Sequence, residues 1–224
     1  MFDRISALTI EFHPITNQRM EIYSTVNSGI NSDPISLGVL ASGSGSNLES
    51  IATAIHNGQL NAKIQVLIYN NPNAFVRERA ERLGIPSVLL NHRDYKSREE
   101  LDAAIIDVLR EAKVDLVIMA GWMRVVTEVL IQAFPDRILN IHPSLLPSFP
   151  GIHAVKQALD YGVKIAGCTV HIVSLAVDRG PILLQAAVEV LPDDTEASLQ
   201  KRIQVQEHLI YPKSIALHAQ KLKV

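Results

Sequence analysis

Between residues 35 and 141 short apolar runs alternate with amphipathic ones, and few folds accommodate that alternation. Residues 35–41, 64–69, 86–90, 114–120 and 137–141 read as strands, and residues 47–57, 74–83, 97–112 and 125–134 as helices between them. The third helix has the clearest period, with Leu101, Ala104, Ile105, Val108, Leu109 and Ala112 following the i, i+3, i+4 rule. Gly84 and Pro135 mark the ends of the second and fourth. Residues 114–120 are almost unbrokenly apolar, as a strand covered on both faces should be. Strands separated by helices join through right-handed crossovers into a parallel sheet. After residue 164 the pattern shifts to two longer strands, 165–174 and 182–190, with no helix between them, and then a helix over about 195–210. The expectation is one α/β domain over residues 35–224, with a mostly parallel sheet flanked by helices. Residues 1–34 sustain no period and read as an N-terminal extension without a legible role.

Composition narrows the function. The chain has 224 residues, 47% apolar and 20% charged, which suits a globular protein and not a disordered one. The single Cys168 leaves no internal disulfide framework and no CxxC site, and is expected as a small buried residue. Net charge is −2, and the extension carries that excess through Asp3, Glu11, Glu21 and Asp33 against Arg4 and Arg19. The balanced remainder argues against a large nucleic-acid footprint but leaves room for a small anionic substrate held by a few groups. No apolar run approaches the roughly 20 residues that span a membrane. The N-terminus lacks the pattern of a signal peptide. A cytoplasmic protein acting on small molecules, monomer or homodimer, is expected.

The first strand runs into Ser42-Gly-Ser-Gly-Ser-Asn47. In an open parallel sheet ligands bind outside the carboxyl ends of the strands. Glycine lets the backbone approach a ligand closely, and the helix that follows presents unpaired N–H groups. The loop is therefore a candidate phosphate cradle. Leu48 stands where a dinucleotide fingerprint needs a third glycine, the second strand ends in Asn70-Asn71 and not in an acid, and no Gly-Lys-Ser/Thr follows. NAD and ATP are both disfavoured. The same residues also make a tight turn in which Ser46 or Asn47 caps the helix.

Asn140 and His142 alternate with Ile141, so a strand places both on one face, just before a loop stiffened by Pro143, Pro147 and Pro150. A histidine there can act as acid or base near neutral pH, and an amide can donate to a developing oxyanion. Between Ile138 and Gly180 the acids are Asp160 and Asp178. Asp160 falls late in a helix over 153–161, whereas Asp178 occupies a turn between two strands and is the better partner. A histidine in a purely structural hydrogen bond is the alternative. A metal reading through His142, His153, His171 and Asp178 rests on ligand type alone, without HExxH spacing. There is no GxSxG elbow.

Gly43-Ser-Gly-Ser-Asn-Leu48, Ala120-Gly-Trp-Met-Arg124, Asn140-Ile-His-Pro-Ser-Leu-Leu-Pro147 and Val177-Asp-Arg-Gly-Pro181 fall in the order seen in the folate-dependent formyltransferases. With Gln206-Glu-His-Leu-Ile-Tyr-Pro212, residues 35–224 resemble the phosphoribosylglycinamide formyltransferase family. The resemblance implies a Rossmann-like fold of formyltransferase type. It implies formyl transfer from 10-formyltetrahydrofolate to the glycyl amine of glycinamide ribonucleotide in purine synthesis, without a metal.

The resemblance also implies roles. Asn140, His142 and Asp178 match the catalytic trio, and Gly45, Ser46 and Asn47 the phosphate-binding loop. Gln204, Val205, Gln206 and Glu207 match a second substrate segment. Arg98, Met123, Arg124, Val125 and Val126, with Asn140, match the folate site, where the two arginines would meet the anionic tail. Ser174, Leu175, Ala176, Val177 and Asp178 would cradle the pterin ring. Trp122 and Met123 read as apolar lining, and His153 and His171 as packing or site residues. Formyltetrahydrofolate deformylase is the nearest rival, but 34 residues are too few for its regulatory domain. Methionyl-tRNA formyltransferase is a second rival and carries a further C-terminal domain. A non-catalytic nucleotide-binding module leaves Asn140, His142 and Asp178 unexplained.

Overall fold

The computed structural model describes residues 33–222, so the extension reading falls outside the described residues except at Asp33 and Pro34. In chain order the elements are β1 (Ile35–Ala41), α1 (Ser46–His56), β2 (Ala62–Tyr69), α2 (Val76–Arg82), β3 (Ser87–Leu89), α3 (Arg98–Glu111) and β4 (Leu116–Met119). They continue with α4 (Glu128–Ala133), β5 (Ile138–His142), α5 (Ala154–Tyr161), β6 (Ile165–Ile172), β7 (Ile182–Glu189) and α6 (Glu196–Leu222). The strands form one sheet in the order β3-β2-β1-β4-β5-β6-β7. The first five are parallel, β6 pairs antiparallel with β5, and β7 pairs antiparallel with β6. The mostly parallel Rossmann-like sheet expected from the strand–helix alternation is the one observed.

Alternation along β1 separates two cores. Leu37, Val39 and Ala41 pack with Leu48 and Ile51 of α1 and with Ile203, Tyr211 and Ile215 of α6. Leu40 points to the other face, among Ile105 and Leu109 of α3 and Leu130 of α4. The loops leaving β1 and β4, adjacent strands, therefore lead to helices on opposite faces. That divergence opens a crevice at the carboxyl ends of the strands.

Most boundaries move by a residue or two from the sequence-based expectation, but α6 differs more. It continues past residue 210, through Pro212, to Leu222. Proline inside a helix removes a hydrogen bond and costs roughly 3 kcal/mol. Here Ile210, Tyr211, Ile215 and Ala219 are buried against the sheet, and that burial outweighs the local penalty. The Tyr211 hydroxyl also lies 3.0 Å from the carbonyl oxygens of both Met119 and Leu139, tying the helix to the end of β4 and to the neighbouring β5. Among the described residues no helix is long and apolar enough to cross a membrane.

Candidate active site

A cavity of about 550 Å³ occupies the crevice, bounded by the loops after β1, β4, β5 and β6 and by one face of α6. Its floor is the end of β5. Antiparallel register sets Asn140 opposite His171 of β6, and the Asn140 Nδ2 lies 3.2 Å from His171 Nε2. His171 Nδ1 donates to the Ile172 carbonyl at 3.0 Å, and its Nε2 lies between the Asn140 amide and Asp178. The His142 Nε2 donates to the Phe149 carbonyl at 2.9 Å, an oxygen that also accepts from the Ser144 hydroxyl. That leaves His142 Nδ1 facing Asp178, 3.4 Å from Oδ2.

Asp178 is held in a left-handed turn, φ 56°, a conformation aspartate tolerates better than most residues. Its Oδ2 accepts the Gly151 N–H at 2.7 Å, and its Oδ1 lies 3.6 Å from His171 Nε2. Burial pushes its carboxyl up, but His171, the Gly151 N–H and the nearby His142 together hold it below its ordinary value. Asn140, His142 and Asp178, from segments 36 residues apart, do converge. His171, left open between packing and site by its sequence, joins them.

The second wall is the start of α1. Gly45 has φ 79°, and a Cβ there would sit 2.4 Å from the Val76 side chain, so the position accepts only glycine. Gly45 caps α1 with no side-chain hydrogen bond. The capping alternative is thus not realised, because Ser46 and Asn47 turn to α6 instead. The Gln204 amide donates to Ser46 Oγ at 2.9 Å, and the Asn47 amide donates to Glu207 at 3.0 Å. Burial pushes the Glu207 carboxyl above its ordinary value, with Asn47 opposing. Cys168, beneath this wall, is buried, and its thiol is pushed up to about 12, chiefly by burial, which leaves it inert as a nucleophile.

The mouth is built differently. Met123 is 78% exposed and Leu175 61%, with Val125 and Val177 also presenting apolar surface. The Met123 N–H donates to Ser42 Oγ at 2.9 Å, joining the loops after β4 and β1. The Ser174 hydroxyl donates to the Ala176 carbonyl, closing the turn before Asp178. Trp122 Nε1 and Arg124 Nε are buried donors without a protein partner.

Gly45, Ser46, Asn47, Met123, Arg124, Val125, Val126, Asn140, His142, Ser174, Leu175, Val177, Asp178, Gln204 and Glu207 all line the cavity. Arg98, Ala176, Val205 and Gln206 lie outside its lining. On a helix successive residues turn by about 100°, so Gln204 and Glu207 share a face while Val205, 56% exposed, points away. Arg98 opens α3 on the surface, and Ala176 sits at an exposed turn. Glu196 and Gln200 also line the cavity, unremarked in the sequence. Their spacing, eight and four residues before Gln204, was the available signal. Among the described residues no group of three His, Cys, Asp or Glu side chains is arranged to hold a metal.

An amide, an imidazole and a carboxylate at the carboxyl end of a Rossmann-like sheet, beside an uncapped helix start, suit transfer of an acyl-type group to an anionic substrate. The formyl transferase family matches residues 36–215, and the chain belongs to that family. Its relatives narrow the class. The chain is 45% identical over 177 residues to the phosphoribosylglycinamide formyltransferase of Bacillus subtilis (strain 168), covering 79% of this chain and 91% of that protein. It is 45% identical over 181 residues to the trifunctional purine biosynthetic protein adenosine-3 of Drosophila melanogaster, covering 80% of this chain but 13% of that protein. The chain spans 18% of the length of the Homo sapiens protein of the same name. Among solved structures, glycinamide ribonucleotide transformylase 1 from Symbiobacterium toebii superposes with a TM-score of 0.84 at 48% identity, covering 87% of this chain and 93% of that one.

Proposed function

We propose that this chain transfers the formyl group of 10-formyltetrahydrofolate to the glycyl amine of glycinamide ribonucleotide, N1-(5-phospho-D-ribosyl)glycinamide, a step of purine biosynthesis in the cytoplasm. Residues 35–224 form the catalytic domain in this reading. The observation that carries it is the convergence of Asn140, His142 and Asp178 between a polar wall with a free helix start and an apolar mouth. The names of the full-length bacterial relatives support it.

The start of α1 at Gly45, Ser46 and Asn47 receives the phosphate, where N–H groups and the helix dipole favour an anion. Glu207 accepts from the ribose hydroxyls, and Gln204 steadies Ser46 beside the phosphate. At the mouth, Ser174 to Asp178 and Met123 to Val126 offer apolar surface and backbone groups to a flat ring. The unpartnered Arg124 Nε and its guanidinium suit the carboxylates of the tail. When bound, the folate supplies the formyl carbon and the oxygen on which charge develops. The Asn140 amide donates to that oxygen, and a His142 N–H joins it by exchanging one of its present partners, the Phe149 carbonyl or Asp178, for the substrate. Asp178 orients His142 and carries the proton from the amine toward the folate nitrogen, directly or through water.

The test mixes the purified chain with a formyl-folate analogue, with and without glycinamide ribonucleotide, and follows deformylated folate by absorbance. Release that requires the ribonucleotide is expected. Release without it would make the chain a hydrolase, and no release under either condition would overturn formyl transfer altogether.

A further inference from the structure

The phosphate cradle has no lysine or arginine of its own, since Arg124, on the loop after β4, is the one such cation among the described residues lining the cavity. It has instead a carboxylate close by. Glu49 lies in the first turn of α1, at the helix end where the phosphate is placed. An acid in the first turn stabilises a free helix, but it repels an anion arriving at the same end.

We infer that Arg79 sets the affinity of this cradle as a positioning residue, acting from behind the loop without touching the substrate. This rests on the reading of Gly45–Asn47 as a phosphate site. Helix α2 contacts three consecutive loop residues. The Val76 N–H donates to the Gly43 carbonyl at 3.1 Å, Arg79 Nε donates to the Ser44 carbonyl at 2.8 Å, and the Val76 side chain fills the space at Gly45. Arg79 Nη1 is paired at the same time with one oxygen of Glu49, and Arg82 Nη2 holds the other. Arg79 is only 20% exposed, and its guanidinium lies 5.2 Å from the centre of the Phe75 ring.

One planar cation therefore does two things. It turns the Ser44 carbonyl, a negative dipole, toward α2, and with Arg82 it neutralises the one acid in the first turn of α1. A lysine keeps the charge, but its ammonium is a compact point charge that does not match the carbonyl and the carboxylate together. The Glu49 carboxylate thereby ties α1 to α2 without opposing the ligand.

The experiment measures ribose 5-phosphate binding to the full chain by calorimetry, with steady-state kinetics alongside. Arg79→Gln is expected to weaken ribose 5-phosphate about tenfold and to raise the ribonucleotide KM by the same factor, as loss of a charged hydrogen bond should. The formyl-donor KM and kcat stay within about twofold, which a general loss of structure would not allow. Arg79→Lys falls between native and Arg79→Gln. Adding Glu49→Gln to Arg79→Gln restores part of the lost affinity, because the acid that Arg82 alone then pairs is gone while the Ser44 carbonyl stays unheld. Should Arg79→Gln not fold, Glu49→Gln alone still decides: it is expected to tighten ribose 5-phosphate a few-fold, since Arg79 and Arg82 are left unopposed. Ribose 5-phosphate bound equally by native and Arg79→Gln protein, or unchanged by Glu49→Gln, overturns the inference alone. Native protein that does not bind ribose 5-phosphate overturns the cradle reading, and the inference with it.

Discussion

Asp178 and Glu207 are carboxylates on two walls of one cavity. Both are largely buried, yet they shift in opposite directions. The difference lies in their donors. Asp178 faces a backbone N–H and two imidazoles, whereas Glu207 has the single Asn47 amide. Burial alone disfavours charge in either group, so the number and charge of donors decides the sign. The β5–β6 side is thus a finished network of donors around one carboxylate that fixes ring nitrogens. The α1–α6 side is a charge held at a disadvantage, which hydroxyl donors from a ligand would relieve.

The sharpest way to break this comparison is to remove a member of the finished network. His142→Ala takes away the imidazole held between the Phe149 carbonyl and Asp178. Turnover should fall roughly 100- to 1000-fold, the loss typical of one oxyanion donor, while both KM values stay within a few-fold. Near-normal kcat in the purified variant would remove His142 from the chemistry.

Glu207→Gln tests the other wall and should give the next largest effect. The glutamine keeps an oxygen for the Asn47 amide but loses the charge that ribose hydroxyls would meet. The ribonucleotide KM should rise about tenfold with kcat little changed, as loss of a charged hydrogen bond implies. Stability should move the other way. A carboxyl whose folded value is raised above its unfolded value of 4.5 contributes most at pH below 4.5, and that contribution is lost as pH rises through the folded value. The native Tm should therefore decline over that window by an amount that Glu207→Gln abolishes, leaving the variant more stable than native at neutral pH. Asp178 behaves oppositely: its lowered value contributes stability above 3.8 that is lost as pH falls through the folded value. Melting curves of native and variant protein from pH 3 to 8 separate the two carboxyls, and identical slopes would show that Glu207 is not the titrating group.

The two walls were not equally legible in the sequence. Strand and helix alternation comes from local periods, so β1 through β5 and α1 through α4 could be read within a few residues. Asp178 could be reached because only two acids fall between Ile138 and Gly180, and one of them belongs to a helix. The contribution of His171 was not readable, since it depends on β5–β6 register, a long-range property. The helix expected over about 195–210 runs on to Leu222, because local pattern says nothing of the sheet packed beneath it. The segment 204–207 was read as one block, although a helix can turn only Gln204 and Glu207 inward. Arg79 gave no sign at all, because its effect depends on two other elements meeting behind the loop.

The mouth yields the smallest effect and a finer distinction. Arg98 and Arg124 match folate-site positions equally well by sequence, but only Arg124 lines the cavity. Its Nε is buried without a protein partner, so a carboxylate there gains a desolvated donor. Arg98 is exposed at the start of α3, where solvent screens its charge. Arg124→Ala should therefore raise the formyl-donor KM about three- to tenfold with the ribonucleotide KM unchanged, the range expected when a partly buried charged contact is lost. Arg98→Ala should raise it by about twofold or less, and that small effect should vanish at high salt. A larger effect at Arg98 than at Arg124 would mean that the tail leaves the cavity along α3 and that the mouth described here is only part of the donor site.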